Sequence, residues 1–261
     1  MKNLESEGIY IQALVTFIDI LGFKEMVKTD KAGSAVRDVL FQLRSFGTMD
    51  LEERAYFGFS TYNFSDSVTR CTPLLHHEGL KSDHELLINE IEELTYIQGE
   101  LSAKGILIRG GIACGGIYTG EHEVFGPAFI DAYTLESKHA RYPRIIVHPN
   151  LLKTHATSGE SGYGIYAEDK LRLTREDTDG FHFVDYLANF PREIHFDPPP
   201  YREETILSYM EPRRQKIEED IKNASILGTV RPKHVWLGKY HNITAKELLG
   251  EQASSVLINT H

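Results

Sequence analysis

The sequence predicts an α+β fold with a ferredoxin-like core and a mostly helical C-terminal extension. The first observation is an apolar segment at residues 9–19, which predicts a strand buried on both faces. The second is the alternation of aromatic and polar residues from 55 to 71, with turn residues at Asn63–Ser65, which predicts a β-hairpin. The third is a set of apolar residues at helical spacing between and after these strands.

The elements follow the order β-α-β-β-α-β-(β)-α-β. A first helix is predicted at roughly 24–46 and a second at roughly 83–104. The segment GILIRGGIACGGIYTG predicts a strand whose glycines allow a bulge or a sharp reversal. A third helix is predicted at roughly 127–140, and RIIVHP begins a further strand. This order is that of a ferredoxin-like core with additional elements.

Three regions are expected along the chain. Residues 1–150 form the core, and residues 151–200 complete it with additional strands and a proline-rich joint, FPREIHFDPPPY. Residues 201–261 form the helical extension, with a break or kink expected near Pro212. Trp236 predicts an aromatic anchor for this extension, and Lys239 beside it is an alternative candidate for a phosphate contact.

The composition of the chain limits the classes of partner that we expect it to bind. The net charge of −10 disfavours non-specific nucleic-acid binding, and a polyphosphate substrate would need local cations or metal ions. No apolar segment approaches the roughly 20 residues of a membrane span, and residues 1–8 lack a secretory pattern. The two cysteines show no ligand or redox spacing. We therefore expect a cytoplasmic protein that binds neither nucleic acid nor membrane.

Two acidic residues are the main candidates for chemistry. Asp19 ends the first strand and Asp66 lies at the reversal of the hairpin. A ferredoxin-like sheet places that strand beside the hairpin, so both side chains are expected at one edge. Two divalent ions between the carboxylates would relieve their repulsion and form a site for phosphoryl transfer. The alternative for Asp19 is that it only caps the following helix.

Four segments in this order resemble the class III nucleotidyl cyclases. They are FIDILGF (17–23), NFSDSV (63–68), RGGIACG (109–115) and EVFGPAFIDAYTLE (123–136). The first two are similar to the metal motifs of that family, with Ser65 where a glycine is usual. Within the family, the chain is most similar to the bacterial pyrimidine cyclases of the Pycsar anti-phage system. The resemblance covers roughly residues 10–150.

This resemblance implies a ferredoxin-like cyclase core, a reaction and its cofactors. The 3′-hydroxyl of UTP would attack the α-phosphate, releasing pyrophosphate and 3′,5′-cyclic UMP as a second messenger for defence. Two Mg²⁺ or Mn²⁺ ions would be held by Asp19, Asp66 and the carbonyl of Ile20. The amides that would bind the triphosphate belong to Leu21, Gly22 and Phe23. A head-to-tail homodimer would build each site from both chains.

Base recognition is assigned to three residues. Tyr62 stands where purine cyclases carry Lys or Glu, and a tyrosine ring favours a smaller base. Glu123 occupies the second base-reading position, and its carboxylate accepts hydrogen bonds from uracil or cytosine. Arg109 would donate to a base carbonyl or to phosphate. These residues do not separate UTP from CTP, so a cytidylate cyclase stays the first alternative.

One departure from the family pattern keeps further alternatives open. Ile130 and Thr134 stand where the family places an Asn and an Arg that steady the transition state. Cations that could replace them are Arg70, Lys138, Arg141 and Arg144. The remaining alternatives are a purine cyclase, a non-catalytic nucleotide-sensing module and a structural interaction protein.

Overall fold

The structure is a computed structural model of the 261-residue chain. It describes residues 9–45, 52, 58–74, 83–156, 173–195, 202–225 and 228–260. The beginning of the predicted hairpin, residues 55–57, and the end of the predicted proline-rich joint, residues 196–201, lie outside these ranges.

The described strands form one mixed sheet with the order β2-β3-β1-β4-β6-β8-β7, and β5 pairs with β4. The first four strands are antiparallel neighbours in the order β2-β3-β1-β4, which is the ferredoxin-like order, so this prediction is confirmed. β6 extends the sheet in parallel to β4. The strands are β1 Ile11–Leu21, β2 Ser60–Phe64, β3 Ser67–Pro73, β4 Leu107–Thr119, β5 Val124–Phe125, β6 Ile145–Val147, β7 Thr174–Glu176 and β8 His182–Val184.

The helices lie between and after these strands. A π-helical turn, Leu135–His139, continues α4, and a 3₁₀ turn, Gly250–Ser255, follows α8. None of the helices in the described ranges has the length and apolar character that crossing a bilayer requires. The helices are α1 Phe23–Thr29, α2 Ser34–Leu43, α3 Asp83–Ala103, α4 Pro127–Thr134, α5 Pro149–Ala156, α6 Tyr186–His195, α7 Glu203–Asn223 and α8 Arg231–Leu249.

The predicted first helix at 24–46 is wrong in one respect, because it is two helices. The chain turns between α1 and α2 at Gly33, whose φ of +69° lies in the left-handed region that favours glycine. The carboxylate of Asp30 accepts a hydrogen bond of 2.9 Å from the Val36 amide. This bond satisfies one of the unpaired amides at the start of α2.

The side chains of β1 point alternately to the two faces of the sheet, which we call the back face and the front face. Leu14, Ile18 and Ile20 point to the back face, where they join a large apolar core with α2, α3 and the C-terminal helices. Val15 and Phe17 point to the front face, where a smaller core forms with α4. Because side chains alternate along a strand, Asp19 shares the front face with Phe17.

The C-terminal helices pack on the back-face core. Gly99 of α3 leaves room for the ring of Phe190, which a Cβ atom at that position would approach to 2.2 Å. Residues 190–195, predicted as part of a joint, instead belong to α6, and α7 continues through Pro212 without a break. Tertiary packing of their apolar faces stabilises both helices despite the internal prolines.

Trp236 anchors α8, as the sequence predicts. Its ring stacks on Tyr142 with a centroid distance of 5.5 Å, contacts Phe183 edge-on, and donates 2.9 Å from Nε1 to the carboxylate of Asp177. Lys239 lies exposed on the same helix.

Candidate active site

The end of β1 and the β2–β3 turn meet at one edge of the sheet. Asp19 is paired with Ser67 of β3 on one side and with Arg109 of β4 on the other. The Ile20 amide donates a hydrogen bond of 3.1 Å to the carbonyl of Asp66. The backbone therefore brings Asp19 and Asp66 together as the sequence predicts, although they are far apart along the chain.

The turn that carries Asp66 is tight. Ser65 has a φ of +61°, a left-handed conformation that costs a residue with a Cβ atom about 1–2 kcal/mol. The conformation explains why a glycine is the expected residue at this position. The turn places Asp66 beside Ile20, near the end of β1.

Arg109 connects Asp19 to a third acid. Its Nε donates a hydrogen bond of 2.9 Å to Oδ2 of Asp19, and its Nη2 lies 2.7 Å from Oε1 of Glu136. Glu136 follows α4 in the π-helical turn, and its side chain is only 4% exposed. Its contact with Arg109 is poorly aligned, so Oε1 lacks a hydrogen-bond partner among the described residues.

The pKa of Glu136 reports the electrostatics of this cluster. Burial raises it to about 7, the charge of Arg109 opposes the rise, and the charges of Asp19 and Asp66 add to it. All three carboxyl groups are therefore close enough to interact. Sequence reasoning missed Glu136, although it ends the segment EVFGPAFIDAYTLE, because its spacing gives no sign that it turns inward.

A lysine from the C-terminal extension lies within electrostatic range of the same cluster. Lys233 lies half-buried in the first turn of α8. Burial and the charge of Arg109 lower the pKa of its ammonium group, and the charge of Asp19 partly opposes this effect. Sequence reasoning also missed Lys233, since no local pattern connects it with residues so far away in the chain.

The donor groups at this edge fit a hard divalent cation. Carboxylate oxygens from Asp19 and Asp66 and the carbonyl of Ile20 are the ligand types that Mg²⁺ and Mn²⁺ prefer. Within the described ranges, no three His, Cys, Asp or Glu residues are arranged as a metal cluster. Asp19 is engaged by Arg109, so binding of a cation to this carboxylate requires the ion pair to loosen.

The predicted triphosphate amides lie at the turn from β1 into α1. Leu21 ends the strand, Gly22 has a φ of +78°, and Phe23 begins the helix. A side chain at Gly22 would meet nothing within 4 Å, so the left-handed backbone is the reason for glycine here. The carbonyl of Gly22 accepts the amides of Glu25 and Met26, which begins the helical hydrogen bonding.

The three predicted base-recognition residues lie in two separate parts of the structure. The hydroxyl of Tyr62 donates a hydrogen bond of 2.6 Å to the carbonyl of Gly120, and the amide of Gly120 donates to the carbonyl of Glu123. Tyr62 and Glu123 thus meet at the β4–β5 turn, where the Glu123 side chain is exposed. Arg109 instead lies with the acidic cluster, which favours a contact with phosphate over a contact with the base.

The other cations named from the sequence are placed differently. Arg70 is fully buried on the back face, where it pairs with Glu90 and Glu93. Arg144 is also fully buried and pairs with Asp177 and Asp179. Lys138 and Arg141 are exposed. Neither buried arginine is available to a substrate, because each already neutralises acidic side chains of its own.

At the two positions where the class III cyclases place an Asn and an Arg, this chain has no residue that could replace them. Ile130 lies on α4 with 60% of its surface exposed, and Thr134 is half-buried at the end of the same helix. Neither residue bears a charge, so α4 supplies no cation from these two positions.

Comparisons with known proteins give only distant similarities. No family model matches the chain, and no curated protein does. Among solved structures, the catalytic core of a rhodopsin-guanylyl cyclase with converted specificity, in complex with ATPalphaS, is 16% identical, with a TM-score of 0.42 over 67% of this chain and 96% of that chain.

Two further solved structures are also distantly similar. An adenylate/guanylate cyclase/hydrolase from Silicibacter pomeroyi is 13% identical, with a TM-score of 0.41 over 67% of this chain and 97% of that chain. The guanylyl cyclase Cya2 is 15% identical, with a TM-score of 0.34 over 67% of this chain and 91% of that chain. These similarities are too low to assign the chain to a family.

Proposed function

We propose that the chain is a metal-dependent nucleotidyl cyclase that converts UTP to 3′,5′-cyclic UMP and pyrophosphate. The observation that carries the proposal is the meeting of Asp19 and Asp66 at one edge of the sheet, beside the Gly22 turn and Arg109. The fold's stability does not require two acids there, since like charges at short range repel each other. The order of the four cyclase-like segments supports the same reaction.

The reaction needs positioning and charge neutralisation more than covalent help from the protein. The 3′-oxygen forms a bond to the α-phosphorus, the bond from the α-phosphorus to its bridging oxygen breaks, and pyrophosphate leaves. The 3′-hydroxyl proton is released to solvent. Divalent cations, when bound, would neutralise the phosphates and lower the pKa of the attacking hydroxyl. Asp19, Asp66 and the carbonyl of Ile20 would hold these ions.

The remaining residues would orient the substrate. The turn at residues 21–23 presents backbone amides to the triphosphate, and Arg109 donates to a phosphate oxygen after Asp19 turns towards a cation. Tyr62 and Glu123 would read the base from the β4–β5 turn. A carboxylate acceptor suits the N3–H of uracil as well as the amino group of cytosine. CTP is therefore the alternative pyrimidine substrate.

We infer that two copies of the chain form the active unit. The front face carries exposed apolar side chains, including Ile130 at 60%, Tyr133 at 48% and Phe64 at 45%. Several large apolar side chains exposed on one face are typical of an association site. A two-fold arrangement would place the β4–β5 turn and α4 of one copy over the acidic cluster of the other.

The dimer is testable by sedimentation. Ile130→Glu is expected to convert the dimer into a monomer and to abolish cyclic nucleotide formation. A monomeric parent protein that still turns over its substrate would contradict the dimer while leaving the reaction intact.

The reaction is tested with purified protein, Mn²⁺ and each of the four ribonucleoside triphosphates. We expect cyclic UMP as the main product, with pyrophosphate in equal amount, both measured by chromatography and mass spectrometry. Asp66→Asn is expected to reduce the rate by at least about 100-fold. The substitution removes a carboxylate charge that would hold the divalent cations, and neutralisation of the triphosphate depends on these cations. Asp38→Asn, the same change on an exposed acid of α2, is expected to keep the parent rate.

Other outcomes separate the alternatives. Mainly cyclic CMP would move the assignment to a cytidylate cyclase, and cyclic AMP or cyclic GMP would overturn the pyrimidine assignment. Nucleotide binding without pyrophosphate would favour a non-catalytic sensing module, for which the uncharged Ile130 and Thr134 are the specific argument. A role in anti-phage defence is proposed from the resemblance of the sequence segments to the Pycsar cyclases.

A further inference from the structure

The C-terminal extension comes close to the acidic cluster through a chain of contacts. Gly110, the neighbour of Arg109 on β4, donates a hydrogen bond of 3.1 Å to the carbonyl of Arg144. Tyr142, two residues before Arg144, stacks on Trp236 with an angle of only 2° between the rings. These contacts hold the second turn of α8 at the end of the sheet where Asp19 and Arg109 lie.

Lys233 stands one helical turn before Trp236 and is therefore held near this edge. Its ammonium group lies within electrostatic range of Arg109 and Asp19. Among the residues the structure describes, it makes no hydrogen bond or salt bridge through its side chain. Asp19 accepts its hydrogen bond from Arg109, and not from Lys233.

The placement of Lys233 opposes the stability of the fold in three ways. Half-burial disfavours its charged form, the like charge of Arg109 repels it, and a cation in the first turn opposes the helix dipole. Its attraction to Asp19 offsets these effects only in part. A cation kept under such conditions is expected to have an anionic ligand that is bound during function.

We propose that Lys233 binds the polyphosphate of the nucleoside triphosphate in the site of its own chain, together with Arg109. This inference rests on the proposed function of the Asp19 and Asp66 edge. It assigns to the C-terminal extension the cationic role that Ile130 and Thr134 cannot fill on α4. The extension is then part of the active site as well as part of the core.

A purely structural role predicts a different behaviour. The aliphatic stem of a lysine can pack on apolar groups while its ammonium group stays near water. Lys233→Met keeps the stem and removes the charge. A structural lysine would then leave ligand binding unchanged, whereas a polyphosphate contact would be lost without a decrease in thermal stability.

The test uses isothermal titration calorimetry with inorganic triphosphate in the presence of Mn²⁺. We expect Lys233→Met to weaken binding by at least about tenfold, the scale of one charge-assisted hydrogen bond. The melting temperature should stay the same or rise. Lys246→Met, the same change at an exposed position of α8, should bind as the parent does. Lys233→Arg should restore most of the affinity.

Three results would overturn the inference. The first is unchanged triphosphate affinity in Lys233→Met. The second is equal weakening in Lys233→Met and Lys246→Met, which would indicate only a general effect of charge. The third is a parent protein that binds no triphosphate with Mn²⁺.

Turnover of UTP, measured separately, distinguishes this inference from the proposed function. Loss of triphosphate affinity in Lys233→Met, in a protein that forms no cyclic nucleotide, would support the binding role and contradict the cyclase. Unchanged KM and triphosphate affinity in an active Lys233→Met variant would support the cyclase and contradict the role of Lys233.

Discussion

Two arginines flank β1 on neighbouring strands, and they differ in almost every physical respect. Arg70 on β3 points to the back face, is fully buried, and forms a two-point contact with Glu90 at 2.9 Å for each bond. Thr16 of β1 donates to the same carboxylate at 2.7 Å. Arg109 on β4 points to the front face and remains 25% exposed.

The difference lies in how completely each network is satisfied. The guanidinium of Arg70 also donates to the carbonyls of Leu43 and Ser45, so the buried charge is surrounded by acceptors. The cluster around Arg109 contains more acids than cations, an Oε1 of Glu136 without a hydrogen bond, and a nearby lysine of depressed pKa. A network of the first kind specifies a fold, whereas the second has the perturbed charges typical of a functional site.

The largest effect is expected from breaking the back-face network. Arg70→Met should reduce the free energy of unfolding by about 3–5 kcal/mol, because it leaves Glu90 buried without its counter-ion. Urea denaturation monitored by circular dichroism measures the change. A loss below about 1 kcal/mol would show that the buried pair contributes no more than a surface pair.

A second prediction concerns pH and the back-face core that contains α8. His241 is fully buried, and burial lowers its pKa to about 4. The unfolded chain therefore binds a proton that the folded chain excludes between about pH 6.5 and pH 4. The stability from this group is complete above pH 6.5 and is lost as the pH falls through 4, by up to about 3 kcal/mol.

Unfolding of His241→Gln at a series of pH values measures this effect. The variant keeps a side-chain donor near the Val256 carbonyl and should show a flatter pH profile than the parent. His122→Gln, on an exposed turn, should keep the parent profile. Identical profiles for the parent and His241→Gln would contradict the prediction.

The front-face arginine should behave in the opposite way to Arg70. Arg109→Met is expected to change the free energy of unfolding by less than about 1 kcal/mol, since the pair is partly exposed and Glu136, with a pKa of about 7, can take up a proton. Its triphosphate affinity, measured by calorimetry with Mn²⁺, should fall at least about tenfold. Equal destabilisation by Arg109→Met and Arg70→Met would remove the distinction between the two networks.

The smallest effect is expected at the turn that carries Asp66. Ser65→Gly should raise the stability by up to about 1 kcal/mol, because glycine adopts the left-handed conformation without a Cβ penalty. The melting temperature of the variant measures this gain. Ser65→Ala keeps the Cβ atom and should show no increase, so a gain in both variants would assign the effect to the lost hydroxyl.

Local patterns were sufficient to predict the order of the core elements. The apolar segment before Asp19, the hairpin pattern around Asp66 and the periodicity of α3 each depend on neighbours within one element. The ferredoxin-like strand order then follows, and it brings Asp19 and Asp66 together. The errors concern the break at Gly33 and the helix at residues 190–195, where a single turn or packing overrides the local signal. Near Pro212, where a break or a kink is expected, α7 continues without a break.

The sequence by itself determined the element order, the glycine turn after β1 and the proximity of two distant acids, Asp19 and Asp66, at one edge of the sheet. Only the tertiary structure decided that Arg109 joins Asp19 to Glu136, that Arg70 and Arg144 are buried in ion pairs of their own, and that Lys233 of α8 lies within electrostatic range of Asp19 and Arg109. The physical reason is the separation along the chain over which each interaction acts. Hydrophobic periodicity and turn conformation act between near neighbours in the chain. The charge, burial and partner of a side chain depend on residues that only folding brings close.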